Sequence, residues 1–185
     1  MRALLVGGSK SGKSGLAQSL AKVLGKDGPL YYLATMEPVD GEDRARIARH
    51  LDARVGWGFA TVEQARGLEQ CRARISPEGT VLLDSVTALL ANEMFHSGLD
   101  EQAQNRSLTE ILAISSGCRH LICVCDDIVR DAGRYEAWTE RYRRDLALLC
   151  RQLAEVFEVV CEVTAGLPKV WKGNLSAFVS LGREG

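Results

Sequence analysis

A glycine-rich segment near the start of the chain has the residue types and the spacing of a phosphate-binding loop. It matches the pattern G-x-x-x-x-G-K-[ST] and consists of Gly7, Gly8, Ser9, Lys10, Ser11, Gly12, Lys13 and Ser14. Glycines let such a loop turn tightly and aim its backbone N–H groups at phosphate oxygens. The lysine supplies a positive charge to the β- and γ-phosphates, and the last serine offers a hydroxyl to Mg²⁺. The motif therefore predicts a site for a nucleoside triphosphate with Mg²⁺.

The segments on either side of this loop predict the elements that position it. Residues 2–6 form a short apolar run typical of a buried strand, and leucines and alanines recur at helical spacing over residues 13–24. A helix that begins at the loop adds the positive end of its dipole to the phosphate site. A glycine-rich turn without a ligand is the alternative, and both flanking patterns disfavour it.

Acidic residues that follow apolar strands form a second group able to do chemistry. Asp84 ends the run Val81-Leu82-Leu83. This pattern predicts a carboxylate at the carboxyl end of a strand beside the phosphate loop, where it would hold Mg²⁺ or activate a nucleophile. The alternative is that Asp84 or Ser85 caps the helix that follows. Asp126 and Asp127 follow another apolar strand, and their pattern fits a solvated loop and an active-site role equally well.

A histidine lies between two arginines on a predicted helix over residues 41–54. Arg46, His50 and Arg54 recur every four residues, so they share one face of that helix. The cations can bind phosphate oxygens and disfavour protonation of the imidazole, which keeps the imidazole nucleophilic. A solvated basic helix face is the alternative, and the spacing alone favours it.

Strand and helix patterns alternate along the chain. The strand candidates are residues 2–6, Leu30–Ala34, Thr80–Asp84, His120–Cys125 and Val159–Thr164. The helix candidates are residues 13–24, 41–54, 63–75, 86–96, 100–117 and 134–156. Residues 166–173 predict a turn that leads to an edge strand or to a loosely held tail. Uninterrupted apolar strands indicate a mostly parallel sheet covered on both faces. We therefore expect residues 1–185 to form a single α/β domain, a three-layer P-loop NTPase fold of the RecA-like type.

Composition disfavours several classes of partner. A net charge of −1 over 185 residues provides no basic field for nucleic acid. No apolar stretch reaches transmembrane length, and the first residues read as a strand instead of a signal peptide, so we expect no membrane insertion. The six cysteines form no C-x-x-C pair and mostly lie in apolar runs. This usage indicates buried, reduced thiols in a cytoplasmic protein.

Together, the phosphate loop and the histidine segment resemble one family, the bifunctional adenosylcobinamide kinase / adenosylcobinamide-phosphate guanylyltransferases of cobalamin nucleotide-loop assembly. Beyond the loop, the similarity is carried by Tyr32-Leu33-Ala34-Thr35, Glu42, Asp43, Ala45-Arg46-Ile47, His50, Arg54, Trp57, Thr61 and Glu63. It continues through Val81–Asp84, Asn92 and Phe95, and more weakly from Arg143 to Pro168. The combination is specific, whereas a phosphate loop alone would not choose among many kinases.

The resemblance implies two reactions. In the first, the γ-phosphoryl group of ATP or GTP moves to the aminopropanol hydroxyl of adenosylcobinamide. In the second, a histidine attacks the α-phosphate of GTP, pyrophosphate leaves, and GMP is held as a phosphoramidate. Adenosylcobinamide phosphate then takes the GMP to give adenosylcobinamide-GDP. Covalent nucleotidylation divides one difficult transfer into two easier ones.

The resemblance also implies residue roles and an assembly. It places the covalent step on His50, which joins Lys13 and Asp84 as the expected catalytic residues, with Ser14 and Asp84 as the metal ligands. The nucleotide contacts that it implies are residues 7–14, Thr35, Met36, Glu37, Leu51, Asp52, Ala53, Arg54, Glu63 and Asp84. It further implies a homo-oligomer, with a trimer as the expected form.

The chain departs from the family pattern at three places. Asp126-Asp127-Ile128-Val129 stands where the family usually has Asn-Glu-Val-Gly, and Cys150-Arg151-Gln152 stands where an Asn-Gln pair is expected. Asp84 stands where the family often has Glu. These departures keep open a paralogue with a single activity, either the kinase or the guanylyltransferase. A RecA-like regulatory NTPase without a small-molecule acceptor is the alternative from a different class.

Overall fold

The computed structural model describes residues 1–37, 56–96, 98–128 and 133–175. In these ranges the strands are β1 (Arg2–Gly7), β2 (Leu30–Ala34), β3 (Phe59–Glu63), β4 (Thr80–Asp84), β5 (His120–Asp126), β6 (Val159–Thr164) and β7 (Leu167–Lys172). The α-helices are α1 (Lys13–Leu24), α2 (Val86–Phe95), α3 (Ala103–Ser116) and α4 (Ala137–Val156). A 3₁₀ helix covers Leu68–Arg74.

The strands form one sheet in the order β3-β2-β4-β5-β1-β6-β7. Neighbouring strands are parallel, with the exception of the antiparallel pair β6 and β7. The central strands β4 and β5 are buried over almost their whole length. This burial explains why their sequences are uninterrupted apolar runs without a polar alternation. The prediction of a mostly parallel sheet is confirmed.

Helices cover both faces of this sheet and divide its apolar side chains into two cores. The core on one face contains α1 together with alternate strand residues; its members include Ala17, Leu20, Leu5, Leu82 and Ile122. The core on the other face contains α2, α3 and α4; its members include Leu89, Ile111, Leu149, Leu4 and Leu83. Since neighbouring strand residues point to opposite faces, two cores on one sheet make a three-layer α/β domain. Within the described ranges, no helix is long and apolar enough to cross a membrane.

The segment predicted as a helix over residues 63–75 has a different structure. Phe59–Glu63 forms the edge strand β3, which pairs with β2, and only Leu68–Arg74 is helical, as a 3₁₀ turn. Tertiary pairing with β2 decides the conformation of this stretch, because an edge strand with one buried side chain has little apolar pattern of its own. The predicted helix over residues 41–54 lies outside the described residues.

The other predicted elements agree with the structure to within a few residues at their ends. Of the two alternatives for residues 166–173, the structure contains the edge strand, β7, which pairs with β6. The turn before β7 brings Gly166 against the phosphate loop, because the Gly166 N–H donates to the Ser11 carbonyl at 2.8 Å.

The cysteines are free thiols, and five of the six are buried. Burial raises the pKa of Cys118 to about 11 and also raises the pKa of Cys123. Cys150 on α4 differs, because it is only half-buried and its sulfur lies 3.2 Å from the Cys125 sulfur. The hydrogen bond between the Cys125 and Cys150 sulfurs lowers the pKa of Cys150. The expectation of buried thiols is thus confirmed for all but Cys150.

Iodoacetamide at neutral pH should modify Cys150 before any other cysteine. Alkylation requires an accessible thiolate, and a lowered pKa increases the thiolate fraction at a given pH. Peptide mass spectrometry after brief labelling would measure the order, and a Cys150→Ser variant should lose the early label. Equally early labelling of Cys123 in the folded protein would contradict this prediction.

Candidate nucleotide site

The carboxyl ends of the parallel strands place the predicted site residues along one edge of the sheet. Gly7 ends β1 and pairs with Asp126 at the end of β5. Ala34, at the end of β2, pairs with Asp84 on one side and Glu63 on the other. The edge therefore presents Glu63, Asp84, Asp126 and the phosphate loop in that spatial order, and such an edge is where open α/β sheets bind ligands.

The strand β5 separates the loop strand from the strand that ends at Asp84. The sequence predicted Asp84 on a strand beside the loop, but β4 pairs with β2 and β5 instead of β1. A crossover connection can pass over a neighbouring position, so strand adjacency does not follow from the order along the chain. As a consequence, Asp126 is the carboxylate that lies next to the end of β1.

The phosphate loop turns back on itself between β1 and α1. The Ser11 N–H donates to the Gly8 carbonyl at 3.2 Å, and the Ser11 carbonyl accepts from the turn between β6 and β7. Gly12 has a φ of 91°, a left-handed conformation that favours glycine. Gly8, Ser9 and Lys10 are exposed at the mouth of the loop.

Two features of this loop leave donors available for a phosphate group. The Ser11 hydroxyl oxygen is buried and makes no hydrogen bond. An unsatisfied buried polar group of this kind costs about 1–3 kcal/mol, and a phosphate oxygen would satisfy it. The helix α1 begins after Gly12, which has no side chain to cap the first turn, and that turn contains no acidic residue. Its free N–H groups lie at the positive end of the helix dipole and suit an anion.

Lys13 is held over the loop by two contacts. Its Nζ donates to the Gly8 carbonyl at 3.0 Å and lies 2.6 Å from Asp126 Oδ1. The Lys13 side chain is only 8% exposed, against 25% for Asp126. The ammonium group therefore lies close to the loop backbone, where a bound phosphate group would meet it.

Asp84 has a hydrogen-bond partner and no capping role. The Tyr32 hydroxyl donates to Asp84 Oδ2 at 2.7 Å. Ser85 is the N-cap of α2, because its Oγ accepts from the Ala88 N–H at 3.1 Å. The sequence left open whether Asp84 or Ser85 caps this helix, and the structure assigns the cap to Ser85. The Asp84 carboxylate, oriented by Tyr32, is thereby available to a ligand at the edge of the sheet.

Ser14 and Asp84 fit the oxygen ligands that Mg²⁺ prefers. Ser14 lies in the first turn of α1, directly after Lys13. Across the described ranges, no group of three or more His, Cys, Asp or Glu side chains could hold a metal ion. Mg²⁺ usually keeps several waters and takes one or two protein oxygens together with substrate phosphates. A bound Mg²⁺ would take Ser14 and Asp84 as oxygen ligands and its other ligands from water and the nucleotide phosphates.

Thr35 joins the ends of β2 and β4. Its buried hydroxyl donates to the Ser85 carbonyl at 2.7 Å and accepts from the Ser85 N–H at 2.8 Å. The Asn92 side chain donates to the Thr35 carbonyl at 2.7 Å and to the Ala65 carbonyl at 3.1 Å. These contacts fix the loops that follow β2 and β3 relative to α2.

Met36, Glu37 and Glu63 lie on the side of the site away from the phosphate loop. Glu37 and Glu63 are exposed, and Met36 is half-buried. The Glu37 carboxylate lies 3.9 Å from Arg66 Nε. Glu63 ends the edge strand β3, and Glu37 follows the end of β2, the strand next to it.

The histidine segment lies outside the described residues. Its predicted site residues are Arg46, His50, Leu51, Asp52, Ala53 and Arg54. Their roles therefore stay predictions.

Three side chains with structural roles at this edge received no role from the sequence. Tyr32 orients Asp84, and Asn92 ties together the loops that follow β2 and β3. Thr87, in the first turn of α2, accepts from the Asp126 N–H at 2.8 Å through its hydroxyl oxygen. The position of Tyr32, a residue with a hydroxyl group inside an apolar strand, could have indicated its role. The sequence contains no pattern that indicates the contact between Thr87 and β5.

The loop, the start of α1, Lys13 and the strand-terminal carboxylates define a P-loop nucleotide-binding protein. The fold is similar to the crystal structure of the flagellar accessory protein FlaH from Methanocaldococcus jannaschii. The TM-score is 0.51 at 16% sequence identity, over 94% of this chain and 78% of that chain. This likeness concerns the fold alone, and it confirms the predicted RecA-like P-loop class.

Sequence comparison assigns the family. A family model described as cobinamide kinase / cobinamide phosphate guanyltransferase matches residues 3–170. The chain is 31% identical over 180 residues to the bifunctional adenosylcobalamin biosynthesis protein CobU of Escherichia coli (strain K12), over 90% of this chain and 97% of that protein. It is also 31% identical over 176 residues to the bifunctional adenosylcobalamin biosynthesis protein CobP of Pseudomonas aeruginosa, over 94% of this chain and 99% of that protein. The chain belongs to the cobinamide kinase / cobinamide phosphate guanyltransferase family, which confirms the resemblance seen in its motifs.

Proposed function

We propose that this protein catalyses two consecutive steps of adenosylcobalamin biosynthesis. It phosphorylates adenosylcobinamide with ATP or GTP and then transfers GMP from GTP to the phosphorylated product, through a guanylyl-histidine at His50. The observation that carries the proposal is the phosphate loop at one edge of the sheet, with Lys13 and Asp84, in a chain that matches the family over nearly its whole length.

In the kinase step the acceptor is the aminopropanol hydroxyl of adenosylcobinamide. The hydroxyl oxygen forms a bond to the γ-phosphorus, the bond to the β-phosphate oxygen breaks, and the hydroxyl proton passes to solvent. The loop N–H groups and Lys13 would stabilise the charge that develops on the transferred group. Bound Mg²⁺, held by Ser14 and Asp84, would neutralise phosphate charge.

In the guanylyl step the nucleophile is a neutral imidazole nitrogen of His50. It forms a bond to the α-phosphorus of GTP as pyrophosphate leaves, which gives a phosphoramidate. A phosphate oxygen of adenosylcobinamide phosphate then attacks the same phosphorus, and the histidine leaves. The products are adenosylcobinamide-GDP and the free enzyme, which is ready for another turnover.

Product analysis with ordered addition tests this function. The purified protein is incubated with adenosylcobinamide, Mg²⁺ and ATP, and GTP is added afterwards. Chromatography with mass spectrometry should detect adenosylcobinamide phosphate first and adenosylcobinamide-GDP only after GTP. A phosphorylated product that is never converted would favour the single-activity kinase, whereas NTP hydrolysis without any cobinamide product would favour the regulatory NTPase.

The protein should sediment as a homo-oligomer, and we propose a trimer on the basis of the family. A net charge of −1 gives little repulsion between copies. Large apolar side chains are available for an interface, since Trp138 is 52% exposed and Trp171 is 60% exposed. Sedimentation velocity at micromolar concentration would measure the mass, and a single monomeric species would contradict this prediction.

A further inference from the structure

Lys13 forms an ion pair with Asp126 through the same ammonium group that a bound nucleotide would contact. Lys13 Nζ lies 2.6 Å from Asp126 Oδ1. Lys13 begins α1 directly after Gly12, and Asp126 ends β5, where it pairs with Gly7 at the end of β1. The same ammonium is the group that a P-loop lysine offers to the β- and γ-phosphates. A bound triphosphate and the Asp126 carboxylate therefore compete for one cation.

The backbone around Asp126 is fixed from both sides, so the carboxylate stays near the loop. The Asp126 N–H donates to Thr87 Oγ1 at 2.8 Å, and the Asp127 N–H donates to the Gly7 carbonyl at 2.9 Å. Thr87 is itself held, because the Tyr142 hydroxyl donates to its carbonyl at 2.8 Å. The side chain of Asp126 can rotate away from Lys13, but its Cα cannot move away from the loop without breaking these contacts.

We propose that Asp126 is a positioning residue of the nucleotide site, which holds the Lys13 ammonium over the phosphate loop and yields it to the phosphates of a bound nucleotide. Because its backbone is held, the Asp126 carboxylate then remains near the bound triphosphate and repels it unless a cation lies between them. Asp126 would thus favour the Mg²⁺-bound nucleotide over the free one. This role rests on the part of the proposed function in which the loop binds nucleotides. It does not depend on which molecule accepts the phosphoryl or guanylyl group.

An isosteric substitution separates this role from a merely structural one. Asp126→Asn removes the charge and keeps the shape and the backbone contacts. The control is Asp27→Asn, which removes the same charge from an exposed turn beyond the far end of α1. Titration calorimetry would measure the binding of the α,β-methylene analogue of GTP and of GMP, each with Mg²⁺ and with a chelator. This measurement needs no cobinamide.

In the presence of the chelator, the Asn variant should bind the metal-free triphosphate analogue about 5-fold more tightly than the wild type, since one nearby negative charge is gone. With Mg²⁺ the gain should fall to about 2-fold or less, because the metal screens the carboxylate from the phosphates. GMP should bind equally to both proteins, since its single phosphate does not extend to Lys13. Asp27→Asn should match the wild type throughout.

Several results would overturn the proposal. These are unchanged or weaker binding of the triphosphate analogue by Asp126→Asn in the presence of the chelator, an equal gain for GMP, or a gain that is independent of Mg²⁺. If Asp126→Asn does not fold, as judged by circular dichroism, Asp126→Ser is measured in the same way against the same criteria. A wild-type protein that binds no nucleotide would overturn the proposed function as well, whereas normal cobinamide products with an unaltered Asn variant would overturn only the role of Asp126.

Discussion

Replacement of Lys13 by alanine should abolish both the phosphorylation of adenosylcobinamide and the transfer of GMP. Lys13 is 8% exposed and contacts the loop backbone at Gly8, so its charge is already placed where phosphates would bind. Loss of a preorganised charge at a developing phosphoryl centre costs roughly 10²–10³-fold in rate for one donor. If both proposed steps bind their triphosphate in this loop, both should fall by at least this factor.

Initial rates of each step, measured separately with saturating acceptor, would test the Lys13 prediction. Lys26→Ala is the matched control, because Lys26 is exposed in the turn after α1, at the end of the helix opposite the loop. Its rates should equal those of the wild type. Near-normal turnover of Lys13→Ala in either step would show that this step does not use the phosphate loop.

Replacement of His50 by alanine should eliminate guanylyl transfer and preserve the kinase reaction. An alanine side chain cannot form a phosphoramidate, so no GMP adduct can accumulate at this position. In the proposed kinase step the γ-phosphoryl group passes directly to the cobinamide hydroxyl, so the imidazole is not needed. We therefore expect ATP-dependent formation of adenosylcobinamide phosphate at a rate close to that of the wild type.

The two activities of the His50 variant would be followed with GTP labelled at the α-phosphate and ATP labelled at the γ-phosphate. His96→Ala is the control, because His96 is an exposed residue at the end of α2. A covalent GMP adduct on His50→Ala would place the nucleophile elsewhere. Loss of both activities in a folded variant would make His50 a shared binding residue and would contradict the division into two steps.

Most of the fold was predictable because the central strands are buried on both faces. Runs such as Leu121–Cys125 have no polar positions, and this pattern indicates a parallel strand between two layers of helices. The edge strand Phe59–Glu63 was not predicted, because it is mostly exposed and therefore lacks such an apolar run. Only one of its five side chains is buried, so its conformation follows from pairing with β2 and not from a pattern of its own.

At the site, local sequence predicted the motifs but not their neighbours. The phosphate loop is contiguous, so its eight residues and the helix that follows were evident from spacing. The partner of Lys13 was not, because Asp126 lies 113 residues further along the chain and reaches the loop only through the pairing of β1 with β5. From the sequence, a solvated loop and an active-site role fitted Asp126 equally well. The pairing of β1 with β5 shows that Asp126 lies at the phosphate loop.

Mass spectrometry of the intact protein can detect the proposed covalent guanylyl-histidine without any cobinamide substrate. The wild type is incubated with GTP and Mg²⁺ in the absence of cobinamide and analysed without acid, because phosphoramidates hydrolyse in acid. We expect a mass increase equal to one guanylyl group, located on His50 by peptide mapping and discharged by adenosylcobinamide phosphate. An unmodified protein, or a guanylyl group on another residue, would contradict this expectation.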